Sequence, residues 1–146
     1  MILLDTNVLS EWMRPRPDPI VIHWLDQQPG YSLFIPAITK AEIETGLSIL
    51  PDGKRKQLLK LSAQMVLDVF SDRCLALDCD TTAHYAGIMT LSRNLGRPIT
   101  VEDAQIAAIA IANNLSLATR NSTDFDFLSQ INLINPWVGP PPTRSN

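Results

Sequence analysis

Three apolar residues, Ile2, Leu3 and Leu4, open the chain and run straight into Asp5, Thr6 and Asn7. An apolar run that ends in a carboxylate and turns into a helix is how an open α/β sheet presents an acid to a ligand, in the crevice beyond the strand ends. The helix after it extends to Met13, capped by Asp5 or Thr6 and stopped by Pro15, because the residue before a proline avoids the α region. Asp18-Pro19 is a cap followed by proline at the first helical position. Ile20, Val21, Trp24 and Leu25 form that second helix's apolar face, and it ends at residues 27–30.

Residues 31–35 read as a strand broken by Pro36. Thr39 and Glu42 have the spacing of a capping box, predicting a helix to Ile49 or Leu50. After a Pro-Asp-Gly turn at 51–53, residues 54–70 carry apolar positions at helical spacing. Leu58, Leu61, Met65 and Val69 make the stripe, widened by Leu59, Val66 and Phe70; this surface is either core or a partner-binding face. Residues 74–77 form a short strand followed by Asp78 and Asp80. Residues 81–95 form a helix closed by Gly96 and Pro98. Thr100-Val-Glu-Asp103 repeats a cap-plus-acid pattern, and residues 104–112 are apolar on almost every face, as in a buried helix. A strand at 115–119, a turn at 120–124, a helical segment at 125–128 and a strand at 131–134 complete the pattern.

Strands alternating with helices predict an α/β fold, with a mainly parallel sheet between two helical layers. One domain over 1–138 is expected, with residues 139–146 a flexible proline-rich tail. At 146 residues the chain can bury a real core. Apolar residues make up 45% and charged residues 18%, as in a globular protein. No apolar stretch approaches the ~20 residues of a membrane span. No signal peptide is seen, so a cytoplasmic location without membrane contact is expected. Cys74 and Cys79 make neither a disulfide framework nor a zinc site. The net charge of −3 and pI near 5.2 argue against holding nucleic acid through a general basic field. They leave room for a nuclease whose acids are gathered on a metal.

Four acids fall where strand ends and helix starts should meet. Each has a structural alternative. Asp5 is a helix cap, Glu42 the arm of a capping box, Asp103 a carboxylate favoured at a helix N-terminus, and Asp124 a turn residue. As a set they point further, because parallel topology gathers strand ends along one edge. Carboxylates held together repel and raise one another's pKa. A hard cation with oxygen ligands, Mg2+ or Mn2+, relieves that, and one or two such ions suit phosphodiester hydrolysis.

Four segments resemble those of PIN-domain proteins. They are the opening Ile-Leu-Leu-Asp-Thr-Asn-Val-Leu-Ser-Glu11, then Thr39-Lys-Ala-Glu42, the stretch Asp103-Ala-Gln-Ile-Ala-Ala-Ile-Ala110, and Ala118-Thr-Arg-Asn-Ser-Thr-Asp-Phe125. They occur in order, and the similarity extends to Trp137. Length and order resemble VapC-type toxins of toxin–antitoxin pairs, and Ile134-Asn-Pro-Trp137 resembles their FitB-like subgroup. The resemblance implies a divalent-metal-dependent ribonuclease using Mg2+ or Mn2+. Asp5, Glu42, Asp103 and Asp124 match its acids, with Asp5 and Asp103 as metal ligands. Some members carry the fourth acid at the position of Asn121. Thr6 and Thr119 match supporting polar positions. The resemblance also implies a homodimer, or a higher hetero-oligomer with a small antitoxin, and operator DNA bound only through that antitoxin.

Arg14, Arg16 and Arg120 lie near the expected active edge and are candidates for RNA binding. Lys54-Arg55-Lys56 reads as a solvated helix start or an RNA contact. His23 and His84 lack paired ligands, and Trp12 and Trp24 at helical spacing read as packing residues. Two rival functions stand beside the nuclease. One is an aspartyl-nucleophile phosphatase, which wants a second acid where this chain has Asn7. The other is a catalytically silent PIN-like binding or scaffold module.

Overall fold

The computed structural model of the chain describes residues 1–139; the expected tail lies beyond them from residue 140. The element order is β1 (Ile2–Leu4), α1 (Thr6–Met13), α2 (Pro19–Asp26), a 3-10 turn (Gly30–Ser32), β2 (Leu33–Pro36), α3 (Ala37–Ser48), α4 (Lys54–Val69) and β3 (Cys74–Leu75). Then follow α5 (Thr82–Leu95), α6 (Val101–Ala112), β4 (Ser116–Ala118), α7 (Ser122–Phe125) and β5 (Leu133–Ile134). The strands form one sheet in the order β3-β2-β1-β4-β5, and every pairing is parallel. The expected α/β sandwich is therefore the observed one.

Alternation along β1 divides the core, because successive strand side chains point to opposite faces. Leu3 joins the cluster built on α5, α6 and Phe125, whereas Leu4 joins the cluster of α1, α2 and α4. Helix α6 is the buried helix expected: Ala104 and Ile106 through Ala110 have no solvent exposure. Its alanines let it lie close against α5, its most extensive partner. Gly96 ends α5 at φ +63°, a conformation that glycine adopts without the usual Cβ penalty.

The chain leaves β1, builds β2 and β3 on one side, and returns to place β4 on the other. The direction of winding thus reverses between β1 and β4, where a crevice opens beyond the strand ends. The Asp5 amide donates to the Ala118 carbonyl at 2.9 Å and closes the sheet at that point.

Several sequence expectations are corrected. Thr39 and Glu42 do not form a capping box: α3 already begins at Ala37, with Pro36 as its uncapped N-terminal neighbour. The strand expected over 31–35 runs from Leu33 to Pro36, after the 3-10 turn at Gly30–Ser32, and the missing N–H of Pro36 leaves no donor to satisfy at the start of α3. Thr39 is consequently inside the helix and fully buried. The cap of α1 is Asp5, which accepts from the Thr6 amide at 2.7 Å, and Thr6 is not the cap. The stripe on α4, expected as core or partner-binding face, is split. Leu58, Leu61, Met65 and Val69 face solvent, with Met65 74% exposed, while Ala63, Val66, Leu67 and Phe70 are buried. Both faces of α4 are apolar, so periodicity could not choose between them. The buried face has the small Ala63 for close helix approach and the bulky Phe70, which meets Trp12 edge to face at 6.0 Å. Ile20 likewise points outward. The segment expected as helical over 125–128 is helical at Ser122–Phe125.

Candidate active site

Asp5 sits at the winding reversal with only 4% of its surface exposed. Three groups hold its carboxylate. The Thr6 amide donates at 2.7 Å to one oxygen. The other oxygen accepts from the Thr119 hydroxyl at 2.8 Å and from the Asn7 amide at 3.4 Å. Asn7 also reaches the Thr119 hydroxyl at 3.4 Å, and its carbonyl oxygen accepts from the Arg120 amide at 3.2 Å. The Asn121 amide donates to the Thr119 hydroxyl at 3.1 Å. The ends of β1 and β4 are thereby locked through polar side chains, and no buried side-chain polar atom lacks a partner among the described residues.

Thr6 links this edge to α3 through a 3.0 Å contact between its hydroxyl and that of Thr39. That contact sets the rotation of α3, and Glu42 lies one turn further along the helix. Across the crevice, the Thr100 hydroxyl caps α6 by accepting from the Asp103 amide at 3.1 Å. Asp103 is thus held in the first turn, where the helix dipole favours a carboxylate.

Asp5, Glu42 and Asp103 line one cavity of about 470 Å³, together with Thr6, Asn7, Ser10, Thr100, Glu102 and Asn121. Among the described residues no lysine, arginine or histidine lines it. Burial, chiefly, pushes the Asp5 carboxyl above the usual carboxylate range, against the pull of its three hydrogen bonds; the charge of Asp124 adds to the rise. Glu42 is raised first by burial and then by the charge of Asp5, with Asp103 and Glu102 contributing. Asp103 is raised by burial and then by Asp5, Asp124 and Glu102. Three acids from distant segments therefore oppose one another's ionisation, with no side-chain cation among the described residues in the cavity to relieve them.

The structure sorts the other expected residues. Asn121 lines the cavity. Asp124 does not, although its charge is felt by Asp5 and Asp103. Arg14 lies at the neighbouring groove. Arg120 stacks its guanidinium 5.1 Å from the centre of the Trp137 ring and does not line the cavity. Arg16 is exposed and lines neither cavity. Glu102 is the site residue that sequence reading missed. Its signal was present: two consecutive acids follow the Thr100 cap, in the turn where the α6 dipole faces the crevice.

Among the described residues no three acidic, histidine or cysteine side chains stand close enough to make a ready-built cation cage. A cation there would be held by one or two carboxylates and keep several of its waters. The unrelieved repulsion within the cavity is the observation that favours a cation there.

Comparison with known proteins agrees with this geometry. The PIN domain family profile matches residues 2–128. The chain is 41% identical over 138 residues to a plasmid stability protein, StbB, of Pseudomonas syringae pv. tomato, covering 94% of this chain and 99% of that one. It is 38% identical to the VapC ribonuclease Y4jK of Sinorhizobium fredii, covering 94% and 98%. It is 39% identical to the toxin FitB of Neisseria gonorrhoeae, covering 94% and 99%. Among solved structures, FitAcB from Neisseria gonorrhoeae superposes with a TM-score of 0.87 at 38% identity, covering 94% of this chain and 99% of that chain. FitAB bound to a DNA fragment gives 0.89 at 36% identity, covering 97% and 99%. With the acids gathered at the switch of a parallel sheet and the match running through almost the whole chain, the protein belongs to the PIN-domain family.

Proposed function

We propose that this chain is the toxin of a toxin–antitoxin pair, a ribonuclease that hydrolyses RNA phosphodiester bonds with a divalent cation, Mg2+ or Mn2+. The observation that carries the reading is the buried Asp5 carboxylate sharing one cavity with Glu42 and Asp103, with no cationic side chain among the described residues lining it. The relatives named VapC ribonuclease and toxin FitB support the activity. The FitAB–DNA structure supports a protein partner that holds the toxin and carries DNA binding. A homodimer within that assembly belongs to the same reading.

Asp5 and Asp103 would hold the cation. When bound, the ion supplies positive charge that relieves the carboxylates, acidifies water and steadies negative charge on the phosphoryl oxygens. The chain's own groups do the rest. Thr119, Asn7 and the Thr6 amide fix Asp5 in one rotamer, so its oxygens face the cavity without reorganising. Glu42 has a raised pKa and more contact with solvent. Its Oε atoms receive the proton of the attacking water as the water oxygen bonds to phosphorus and the P–O bond to the leaving nucleotide breaks. A carboxylate shifted up toward the working pH is a better base for that transfer. Asn121 supports the water or the ion from the β4–α7 turn, and Asp124 on α7 supports it through its charge.

The deciding experiment compares RNA cleavage by the purified protein and by Asp5→Asn, with Mg2+ or Mn2+ and with EDTA. Cleavage lost in the variant and in EDTA, with the fold retained by circular dichroism, supports the proposal. Full activity in either condition overturns the mechanism.

A further inference from the structure

A second cavity of about 450 Å³ opens from the acidic one, and the two share Thr6, Ser10 and Glu42 in their walls. It lies between α1, α3 and α4. Its floor is apolar, from Met13, Ile43, Leu47 and Leu59, and its lining includes two arginines, Arg14 and Arg55. No aromatic ring lines it. Arg14 is fixed there by a built support. Glu11 is buried, accepts from the Asp18 amide at 2.7 Å, and pairs with the Arg14 guanidinium at 3.4 Å. The Arg14 side chain nevertheless stays 64% exposed, and a guanidinium has five N–H donors, more than one carboxylate oxygen uses. Arg55 is exposed on the first turn of α4. Its neighbour Lys56 is instead bound to Asp52 and the Ser48 carbonyl, so Arg55 is the member of that basic run that faces the groove.

We propose that this groove holds the nucleotide of the RNA substrate next to the cleaved bond, with Arg14 and Arg55 on its phosphates and the base against the apolar floor. This rests on the ribonuclease reading. An RNA strand crossing the acidic cavity must leave it somewhere, and the acidic cavity itself offers no cation to a phosphate. The groove is continuous with it through Glu42, carries opposite charge at its lining, and falls in the size range of cavities that enclose small ligands. With no ring for stacking, the base is selected by size and desolvation rather than by a π-face.

The test uses the full chain with Mn2+ and a 5′-labelled single-stranded RNA of mixed sequence, followed by an oligonucleotide spanning a mapped cleavage site. Arg55→Ala should raise KM about five- to tenfold while kcat changes less than about twofold, because a contact to a non-reacting phosphate is lost equally from ground and transition states. The salt slope of log(kcat/KM) should fall by about 1, and Arg55→Lys should restore part of the loss. Removing the base at one position beside the cut should cost the wild type about tenfold. Unchanged KM and salt slope in Arg55→Ala overturn the subsite while wild-type cleavage leaves the ribonuclease reading standing. Failure of the wild type to cleave any RNA overturns that reading and this one together. Unchanged RNA kinetics combined with weaker inhibition by a co-expressed protein partner assigns the groove to that partner and also overturns the proposal.

Discussion

The Thr119 hydroxyl donates to Asp5 Oδ2 at 2.8 Å across the point where the sheet reverses its winding, and neither group meets bulk solvent to a useful extent. This bond opposes the burial that raises the Asp5 pKa. Thr119→Val keeps the shape and deletes the donor, so the Asp5 pKa moves further up. The acidic limb of the pH–rate profile should shift to higher pH, and metal affinity or activity should fall about 10–100-fold. Thr119→Ser should recover most of it. A profile unmoved in Thr119→Val would show that the bond only serves packing.

Stability of the metal-free protein should depend on pH in a direction set by the acids. Asp5, Glu42 and Asp103 have folded-state pKa values above their ordinary ones. A group raised in this way binds more protons folded than unfolded, so stability falls as pH climbs from about 4, where free carboxyls titrate, through the raised values. Urea unfolding in EDTA across that range should show the decline. Asp103→Asn should flatten it and exceed the wild type at neutral pH. A decline of unchanged depth in the variant would remove Asp103 from the repelling set.

Addition of Mg2+ or Mn2+ should raise the melting temperature of the wild type. An ion at ten times its Kd contributes about 1.4 kcal/mol. Asp5→Asn and Asp103→Asn should each lose most of that gain. Asp124 lies outside the cavity lining, so Asp124→Asn should retain the greater part of the shift. A complete loss in Asp124→Asn would make it a ligand, contrary to the lining.

Helix α4 provides a test of the fold that leaves the acids untouched. Phe70→Ala should cost about 3–5 kcal/mol, as deletion of a buried aromatic does. Met65→Gln on the exposed stripe should change stability by no more than about 0.5 kcal/mol. Chemical denaturation of the two variants checks the assignment of faces.

The architecture was legible because β1, α6 and the Asp18-Pro19 start each carry one unambiguous local signal. An unbroken apolar run ends in an acid, an all-round apolar helix can only be buried, and a proline follows its cap. What misled was local chemistry with two satisfactory outcomes. Thr39 and Glu42 have capping-box spacing, but Pro36 lets the helix start earlier and carries Thr39 into the interior, where its hydroxyl meets Thr6. On α4 two apolar faces compete, and only packing against α1 and Trp12 decides. The co-location of Asp5, Glu42 and Asp103 followed from strand order. The place of Glu102 on the same wall, and of Asn121 ahead of Asp124, depended on rotations about α6 and the β4–α7 turn that periodicity does not encode.

The bond between Thr119 and Asp5 joins residues 114 positions apart, and this has a consequence for how the protein comes into being. Loop closure over such a span must await nearly the whole polypeptide. At roughly 5–20 residues per second of synthesis, a growing chain exposes Asp5 and Glu42 well before Asp103 and Thr119 emerge. A nascent or truncated product thus carries half of the acidic cavity's wall and no clamp on its central acid. The acidic cavity is therefore completed late in synthesis, when β4 pairs with β1 and brings Thr119 to Asp5.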